Sequence, residues 1–220
     1  MMPSDTELKP TYLARHGETE SNCDRRYAGR NNEGLNARGR GQVLALARLL
    51  FDKGIEAIWT SPVPRAVESA EIVSQELRIP LQEDARLAEM LMGPWEGLTE
   101  AEVEHAYPRE YHLWNTVPAS VAIEGRETLK LLTSRVLAAV DDAAQSIRPV
   151  LLMTHVAPMR VIALSTLDLD LNNYKRLAIP NAACIMVDRD RGEVHRLPHL
   201  TSVRTELDQT GIRVEAGPVC

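Results

Sequence analysis

Apolar residues follow two patterns along the chain: short continuous runs, and longer stretches with helical spacing. The short runs at residues 11–14, 57–60 and 150–153 predict buried strands, because each is brief and is followed at once by a turn or a polar residue. The longer stretches carry apolar side chains every three or four positions, which is typical of amphipathic helices. These helices are predicted at residues 36–54, 64–77, 127–146 and 158–167.

Cap and turn residues complete the predicted order of elements. Asn36 is a suitable N-cap for the first long helix, and Thr99 begins a capping box for a short helix in the middle of the chain. The runs at 183–187 and 193–197 flank a polar turn, which predicts a hairpin. Strands that alternate with helices predict an α/β fold, a three-layer sandwich with a mainly parallel central sheet flanked by helices.

Composition and charge limit the classes of protein to consider. A chain of 220 residues that is 44% hydrophobic predicts one domain, with a core at residues 11–197 and a C-terminal tail at 198–220. The net charge of -6 argues against nucleic acid or an anionic membrane as partner. No apolar stretch reaches membrane-spanning length, and the N-terminus lacks the apolar segment of a secretory signal. Three cysteines without a C-x-x-C pair fit a reducing compartment, so we expect a cytoplasmic protein.

The predicted strands end in residues suited to binding phosphate. Arg15 and His16 follow the first strand, and Arg65 lies just beyond the second. His155 follows the strand at 150–153. Ligands of open parallel sheets bind beyond the carboxyl ends of the strands, so these side chains are expected at one edge. Guanidinium groups match phosphate oxygens in charge and geometry, and a neutral imidazole can attack phosphorus to form a covalent intermediate.

His16 is the candidate nucleophile in this set, and the cationic groups around it would stabilise the transferring phosphoryl group. Departure of an alkoxide also needs a proton from a carboxylic acid. The candidate acids are Glu18, Glu89 and Glu96. Each of these residues alone is more often a surface or capping residue, and only their joint placement argues for function. No metal site or cofactor is predicted, because the remaining histidines lack metal-type spacing; they are His105, His112, His195 and His199.

Four motifs occur in a fixed order along the chain. They are R-H-G-E-T-x-x-N at 15–22, S-P-x-x-R-A at 61–66, L-x-E at 87–89 with G-x-W-E-G at 93–97, and T-H at 154–155. Together they resemble the motifs of the histidine phosphatase superfamily, in its phosphoglycerate-mutase-like branch. The resemblance covers residues from about 11 to 197 and implies the same α/β sandwich.

The resemblance also implies roles for individual residues. His16 would accept the phosphoryl group and Glu89 would donate the proton. The catalytic set would be completed by Arg15, Arg65 and His155. Substrate contacts beside the two arginines would come from Gly17, Glu18, Thr19, Asn22, Ala28 and Gly29. The implied partner is a small phosphorylated metabolite, with no metal and no cofactor, and a homodimer is compatible with the sequence.

The sequence departs from the family pattern at several positions. Val156 and Ala157 stand where glycine is common, and Val67 stands where relatives acting on phosphoglycerate-like substrates often have a basic residue. Residues 31–36 replace the usual D-x-P-L-T pattern. The leading prediction is a metal-independent phosphatase that hydrolyses a small phosphomonoester through phosphohistidine. A cofactor-dependent phosphoglycerate mutase is the alternative, and a non-catalytic phosphate-binding protein is a third possibility raised by Val156 and Ala157.

Overall fold

The computed structural model describes residues 11–146, 149–198 and 201–203. Within these residues the chain forms a seven-stranded sheet with helices packed against it. The strands are β1 (Thr11–Arg15), β2 (Ala57–Thr60), β3 (Leu81–Glu83), β4 (Val150–Thr154), β5 (Cys184–Asp188), β6 (Glu193–Arg196) and β7 (Thr201–Ser202). The α-helices are α1 (Glu20–Cys23), α2 (Ala37–Leu50), α3 (Pro64–Leu77), α4 (Glu100–Ala106), α5 (Pro108–Thr116), α6 (Leu129–Ala144) and α7 (Val156–Thr166).

The sheet has the strand order β3-β2-β4-β1-β5-β6-β7, which places β1 in the middle. Strands β1 to β4 run parallel to one another, and β5, β6 and β7 extend the sheet in antiparallel pairs. Arg15 pairs with Thr154, and Thr60 pairs with Met153, so β1, β2 and β4 end almost level. The mainly parallel central sheet is therefore confirmed, and three of its strands end at one common edge.

Alternate residues of the central strands belong to two different hydrophobic cores. Leu13 and Leu152 pack in a cluster with α6 and α7, whereas Ala14 and Leu151 pack in a cluster with α2 and α3. All four side chains are fully buried, and each buried leucine contributes about 1.5–3 kcal/mol. Because successive residues of a strand point to opposite faces, this alternation produces the predicted three-layer sandwich.

Element boundaries agree with the sequence where a cap residue marks them. The side chain of Asn36 accepts a hydrogen bond from the backbone N–H of Gly39 at 2.8 Å and caps α2. Thr99 forms the capping box of α4. The last long helix begins at Val156, two residues earlier than predicted, because His155 has extended backbone angles and is itself the N-cap. The proline of its first turn costs no intrahelical hydrogen bond at that position.

Four short elements had no sequence prediction: α1, β3, α5 and β7. Strand β3 is an edge strand of three residues, and α5 begins at Pro108 directly after Tyr107, which ends α4. The predicted tail at 198–220 lies outside the described residues except for Pro198 and residues 201–203, where β7 pairs with β6. Among the helices in the described ranges, none is both long and apolar enough to cross a bilayer.

Candidate active site

His16 lies directly beyond β1 and is almost completely buried. Its Nδ1 is 2.6 Å from the carbonyl oxygen of Gly17, so Nδ1 carries a proton and donates it to that oxygen. Burial, together with the cationic Arg65 and Arg15, holds the pKa of His16 well below its ordinary value. The neutral ring therefore has a lone pair on Nε2, and Nε of Arg65 donates a hydrogen bond to it at 3.2 Å.

His155 lies beyond β4 and is fully buried, with its ring centroid 5.0 Å from that of His16. Its Nε2 is 2.7 Å from the hydroxyl oxygen of Ser61, which follows β2. Burial and the nearby charge of Arg65 hold the pKa of His155 well below its ordinary value, so this ring is neutral as well. Its Nδ1 is buried without a hydrogen-bond partner in the described part of the chain. One ring nitrogen is thus left to contact a ligand.

Arg65 reaches the same place from the first turn of α3 and is 1% exposed. Nη2 donates to the carbonyl oxygen of Gly29 at 2.6 Å, and Nη1 donates to Oδ1 of Asn31 at 3.0 Å. These two bonds fix the plane of the guanidinium group and direct its Nε to His16. A buried cation is therefore held beside His16 before any ligand arrives.

Arg15 supplies a second cation at the end of β1. Its Nη1 donates to the carbonyl oxygen of Ile179 at 2.6 Å, while its Nε is buried and has no partner among the residues described. Burial lowers the pKa of Arg15 to about 10, so the group remains charged at neutral pH. The two arginines and the two histidines meet at one edge of the sheet, as the sequence predicted.

Glu89 is the buried carboxylic acid of the site. One of its carboxyl oxygens accepts the backbone N–H of Met90 at 2.8 Å, and the backbone N–H of Ala157, in the first turn of α7, also acts to lower the pKa of the carboxyl group. Burial raises the pKa of Glu89 above its ordinary value, and it does so against the lowering effect of these N–H groups and of Arg65 and Arg15. Such a group is suited to exchanging a proton in the site.

The backbone at Glu89 is held by two arginines that sequence reasoning did not single out. Nε of Arg30 and Nη2 of Arg135 donate to the carbonyl oxygen of Glu89 at 2.7 and 3.1 Å. Arg135 also forms two hydrogen bonds with the carboxylate of Glu127, at 2.7 and 2.8 Å. Arg135 is 46 positions from Glu89 in the sequence, and no local pattern indicates a contact over that separation.

The residues after His16 shape the loop in which it lies. Gly17 packs so closely on α2 that an added Cβ would lie 2.4 Å from the carbonyl oxygen of Gly39. The carboxylate of Glu18 accepts hydrogen bonds from Arg38 at 3.2 Å and Asn36 at 3.1 Å. Glu18 therefore ties the loop to α2, and of the three candidate acids it is the one most heavily hydrogen-bonded.

Thr19 and Asn22 form the capping box of α1, so their side chains satisfy the start of this short helix. Oδ1 of Asn22 also accepts a hydrogen bond from the amide of Asn181 at 2.8 Å. The same amide group lies 3.4 Å from the carbonyl oxygen of His16. Asn181 was not among the predicted site residues, because it lies 159 positions from Asn22 in a segment without a motif.

The segment at Ala28 and Gly29 supports Arg65 through its backbone. Gly29 has a φ of 45°, and a Cβ at this position would lie 2.7 Å from the carboxyl carbon of Glu96. Glu96 is exposed and accepts the backbone N–H of Arg30 at 3.1 Å. Ala28 is half-buried in the same loop. Glu89 combines burial with a raised pKa, as the proton donor of the site requires.

The two departures from the family pattern that follow His155 are Val156 and Ala157, and they leave this arrangement in place. Val156 is half-buried and Ala157 is buried, and the backbone N–H of Ala157 acts to lower the pKa of Glu89. Within the described ranges there is no group of three or more histidine, cysteine or acidic side chains that could hold a metal ion.

Several known proteins are similar to this chain. Residues 11–198 match the model of the histidine phosphatase superfamily (branch 1). Phosphoserine phosphatase 1 of Hydrogenobacter thermophilus is 28% identical over 173 residues, which are 78% of this chain and 82% of that protein. A probable phosphoglycerate mutase GpmB of Escherichia coli is 30% identical over 184 residues, which are 80% of this chain and 83% of that protein. The structure of mycobacterial glucosyl-3-phosphoglycerate phosphatase Rv2419c with VO3 aligns with a TM-score of 0.75 and 26% identity over 82% of this chain and 91% of that chain.

Proposed function

The chain belongs to the histidine phosphatase superfamily and is a phosphoric monoester hydrolase of that type, and we propose that it acts through a phosphohistidine at His16. The strongest support is the bond from Nδ1 of His16 to Gly17, because it leaves the nucleophilic lone pair on Nε2 beside the guanidinium of Arg65.

In the first half of the reaction, Nε2 of His16 attacks the phosphorus atom. The new N–P bond forms while the ester P–O bond breaks, and its electron pair goes to the leaving oxygen. Glu89 gives its proton to that oxygen, because burial favours the protonated form of its carboxyl group. The organic product leaves as an alcohol, and Glu89 becomes a carboxylate.

In the second half, water attacks the phosphohistidine. Glu89 takes a proton from the water as the new P–O bond forms, and the N–P bond returns its electron pair to Nε2 of His16. Inorganic phosphate leaves, and both residues regain their starting protonation states. The phosphoryl oxygens gain charge in both transition states, and Arg15, Arg65 and His155 supply the surrounding hydrogen-bond donors.

We propose a small phosphorylated metabolite as the substrate. The support is that similar proteins are named for phosphoserine and glucosyl-3-phosphoglycerate, which are both small phosphomonoesters. We also propose direct substrate contacts from the loop residues; these are Gly17, Glu18, Thr19, Asn22, Ala28 and Gly29. A cytoplasmic location and a homodimer remain predictions, to be checked by cell fractionation and by light scattering of the purified protein.

Release of phosphate from a generic aryl phosphate tests this function. Wild-type protein should turn the ester over, and His16→Ala should fall to the rate of the uncatalysed reaction. His105→Ala is a matched control, because His105 lies exposed on α4, and it should behave as wild type. Turnover by His16→Ala at the wild-type rate would exclude His16 as the nucleophile.

A phosphoglycerate mutase is the second candidate function, because of the 30% identity to GpmB. A mutase would return the phosphoryl group from His16 to another hydroxyl group instead of to water. Incubation with 3-phosphoglycerate and a trace of 2,3-bisphosphoglycerate separates the two activities. We expect phosphate release to exceed isomerisation, and faster isomerisation would make the mutase the correct function.

A further inference from the structure

Ser61 is a buried polar residue beside the site whose hydroxyl group has a restricted set of partners. Its backbone follows β2 and donates to the carbonyl oxygen of Met153 at 3.0 Å, which fixes its position relative to β4. Its Oγ accepts the backbone N–H of Val63 at 3.2 Å. The same Oγ lies 2.7 Å from Nε2 of His155. The side chain has no solvent exposure.

These contacts favour one place for the hydroxyl proton of Ser61, because a buried hydroxyl proton without an acceptor is costly. The N–H of Val63 can only donate, so Oγ is its acceptor. Within the described residues, Nε2 of His155 is the one hydrogen-bonding atom that can accept the hydroxyl proton in return. Nε2 then needs its lone pair for this bond. The single proton of the neutral imidazole must lie on the other nitrogen, Nδ1.

We propose that Ser61 is a positioning residue that holds His155 as the tautomer with its proton on Nδ1, so that His155 offers a donor to a phosphoryl oxygen. This inference rests on the proposed phosphatase function. Nδ1 is the buried ring nitrogen that lacks a partner in the described chain, as expected of a donor whose acceptor arrives with the substrate. The opposite tautomer would present a lone pair to the negatively charged oxygens and repel them.

With the proton of His155 on Nδ1, both histidines are the same tautomer, but their hydrogen bonds give them different roles. In His16 the proton on Nδ1 is donated to Gly17, and the lone pair on Nε2, which accepts from Nε of Arg65 in this structure, is the one that attacks. In His155 the lone pair on Nε2 accepts the hydroxyl proton of Ser61, and the proton on Nδ1 stabilises the negative charge of the phosphoryl oxygens. Two chemically identical side chains are thus made a nucleophile and a donor by one neighbouring oxygen each.

The tautomer can be measured without any assay of activity. Nitrogen NMR of protein with isotope-labelled histidine distinguishes protonated from unprotonated ring nitrogens, and a His155→Gln variant identifies the signals of His155. We expect a protonated Nδ1 and an unprotonated Nε2 in the wild type at neutral pH. In Ser61→Ala the proton should move, wholly or in part, to Nε2. A wild-type ring protonated on Nε2 would overturn the proposal even if Ser61→Ala does not fold.

Kinetics on an aryl phosphate supply the second measurement. Ser61→Ala should lower kcat by about 10–100-fold and change KM much less, because the donor matters most in the transition state. Ser74→Ala is the matched control. It likewise removes a serine hydroxyl group, one that lies on α3 away from the site and donates to the carbonyl oxygen of Ile79, and kcat should be unchanged.

The two measurements separate this proposal from the phosphatase function itself. If wild type and a folded Ser61→Ala have the same kcat, the function stands and the role of Ser61 is refuted. If the wild type releases no phosphate from any ester, the phosphatase function fails, while the NMR result still decides the tautomer.

Discussion

The active site and the aromatic cluster beside it each contain a deeply buried arginine, and the two arginines are held in opposite ways. In the active site, Arg65 donates from all three nitrogens, to His16, Asn31 and Gly29, at 2.6 to 3.2 Å. Each of these acceptors is directional, so the guanidinium group has one orientation.

Arg126 lies in the aromatic cluster formed by Trp95, Trp114 and their neighbours. Its guanidinium carbon is 4.6 Å from the ring centroid of Trp95 and 4.2 Å from that of Trp114, which is cation–π geometry. None of its three nitrogens has a hydrogen-bond partner among the described residues. Burial lowers the pKa of Arg126 to about 10.

The comparison shows that burial of a cation does not by itself identify a functional group. Both side chains are buried, and burial is the largest cause of the lowered pKa in each. The difference lies in what surrounds each guanidinium group. Arg65 has oriented acceptors, including His16, and the carboxyl group of Glu89 nearby, whereas Arg126 lies against the faces of aromatic rings. In the proposed mechanism, only the first arrangement prepares a hydrogen-bond donor for the transferring phosphoryl group.

The largest expected effect comes from making the same substitution at both arginines. Arg65→Met should lower kcat/KM for an aryl phosphate by about 10²–10³-fold, because it removes a donor and a charge next to the transferring group. Arg126→Met should keep kcat/KM within about twofold of wild type, since that guanidinium contacts none of the proposed catalytic residues. Equal losses in the two variants would refute the distinction.

Substitution of Glu89 tests the carboxylic acid that lies near Arg65 and is not among the charges near Arg126. Glu89→Gln should lower the rate of hydrolysis of an alkyl phosphate by about 10²-fold or more. The rate for an aryl phosphate should fall far less, because an aryl oxygen departs without protonation. Steady-state rates on the two esters give this ratio directly. Equal effects on both substrates would remove Glu89 from the role of proton donor.

The pH dependence of folding stability should show a smaller effect of Glu89, and the raised pKa fixes its direction. The pKa of Glu89 in the folded protein is raised above its reference value of 4.5, so the folded state retains a proton that the unfolded state releases. The stabilisation is complete below the unfolded pKa and is lost as pH rises through the folded pKa. Glu89→Gln should therefore gain thermal stability relative to wild type as pH increases through that window.

Thermal melting of wild type and Glu89→Gln over a pH series checks this sign. Arg126→Met serves as the reference, because Glu89 is not among the charges that shift the pKa of Arg126. Its melting temperature should follow the wild-type pH trend. A Glu89→Gln difference that shrinks with rising pH would contradict the raised pKa.

The smallest expected effect is on the stability of Arg126→Met. The substitution gives up a cation–π interaction of about 0.5–2 kcal/mol, and it relieves the cost of a buried cation without hydrogen-bond acceptors, which is at least as large. Urea unfolding should show an unchanged or slightly higher free energy of unfolding. A loss of several kcal/mol would mean that the guanidinium has acceptors that make it a structural anchor.

The sequence was sufficient for the parts of the site that follow strand ends. Arg15 and His16, Ser61 and His155 all stand directly at or after a strand of the parallel sheet, and the hydrophobic runs that mark those strands are local signals. The bounds of α3 and the cap of α2 followed from local signals as well. The phosphatase and its family were predicted from the four motifs and are confirmed by the match over residues 11–198.

The supporting contacts could not be predicted because they join distant segments. Ser61 belonged to a motif, but its bond to His155 spans 94 positions. Asn181 and Arg135 have no motif, and they reach the site only because the fold brings their loop and helix to it. The early start of α7 likewise depends on the extended backbone of His155, which the position of Pro158 in the sequence does not reveal.

Direct detection of the phosphoenzyme is the most decisive measurement. Wild-type protein mixed with an aryl phosphate, quenched within one turnover in alkaline denaturant and digested should carry acid-labile phosphate on the peptide that contains His16. His16→Ala should carry none. Phosphate on the peptide of His155, or turnover without any phosphorylated peptide, would contradict the assignment of His16 as the nucleophile.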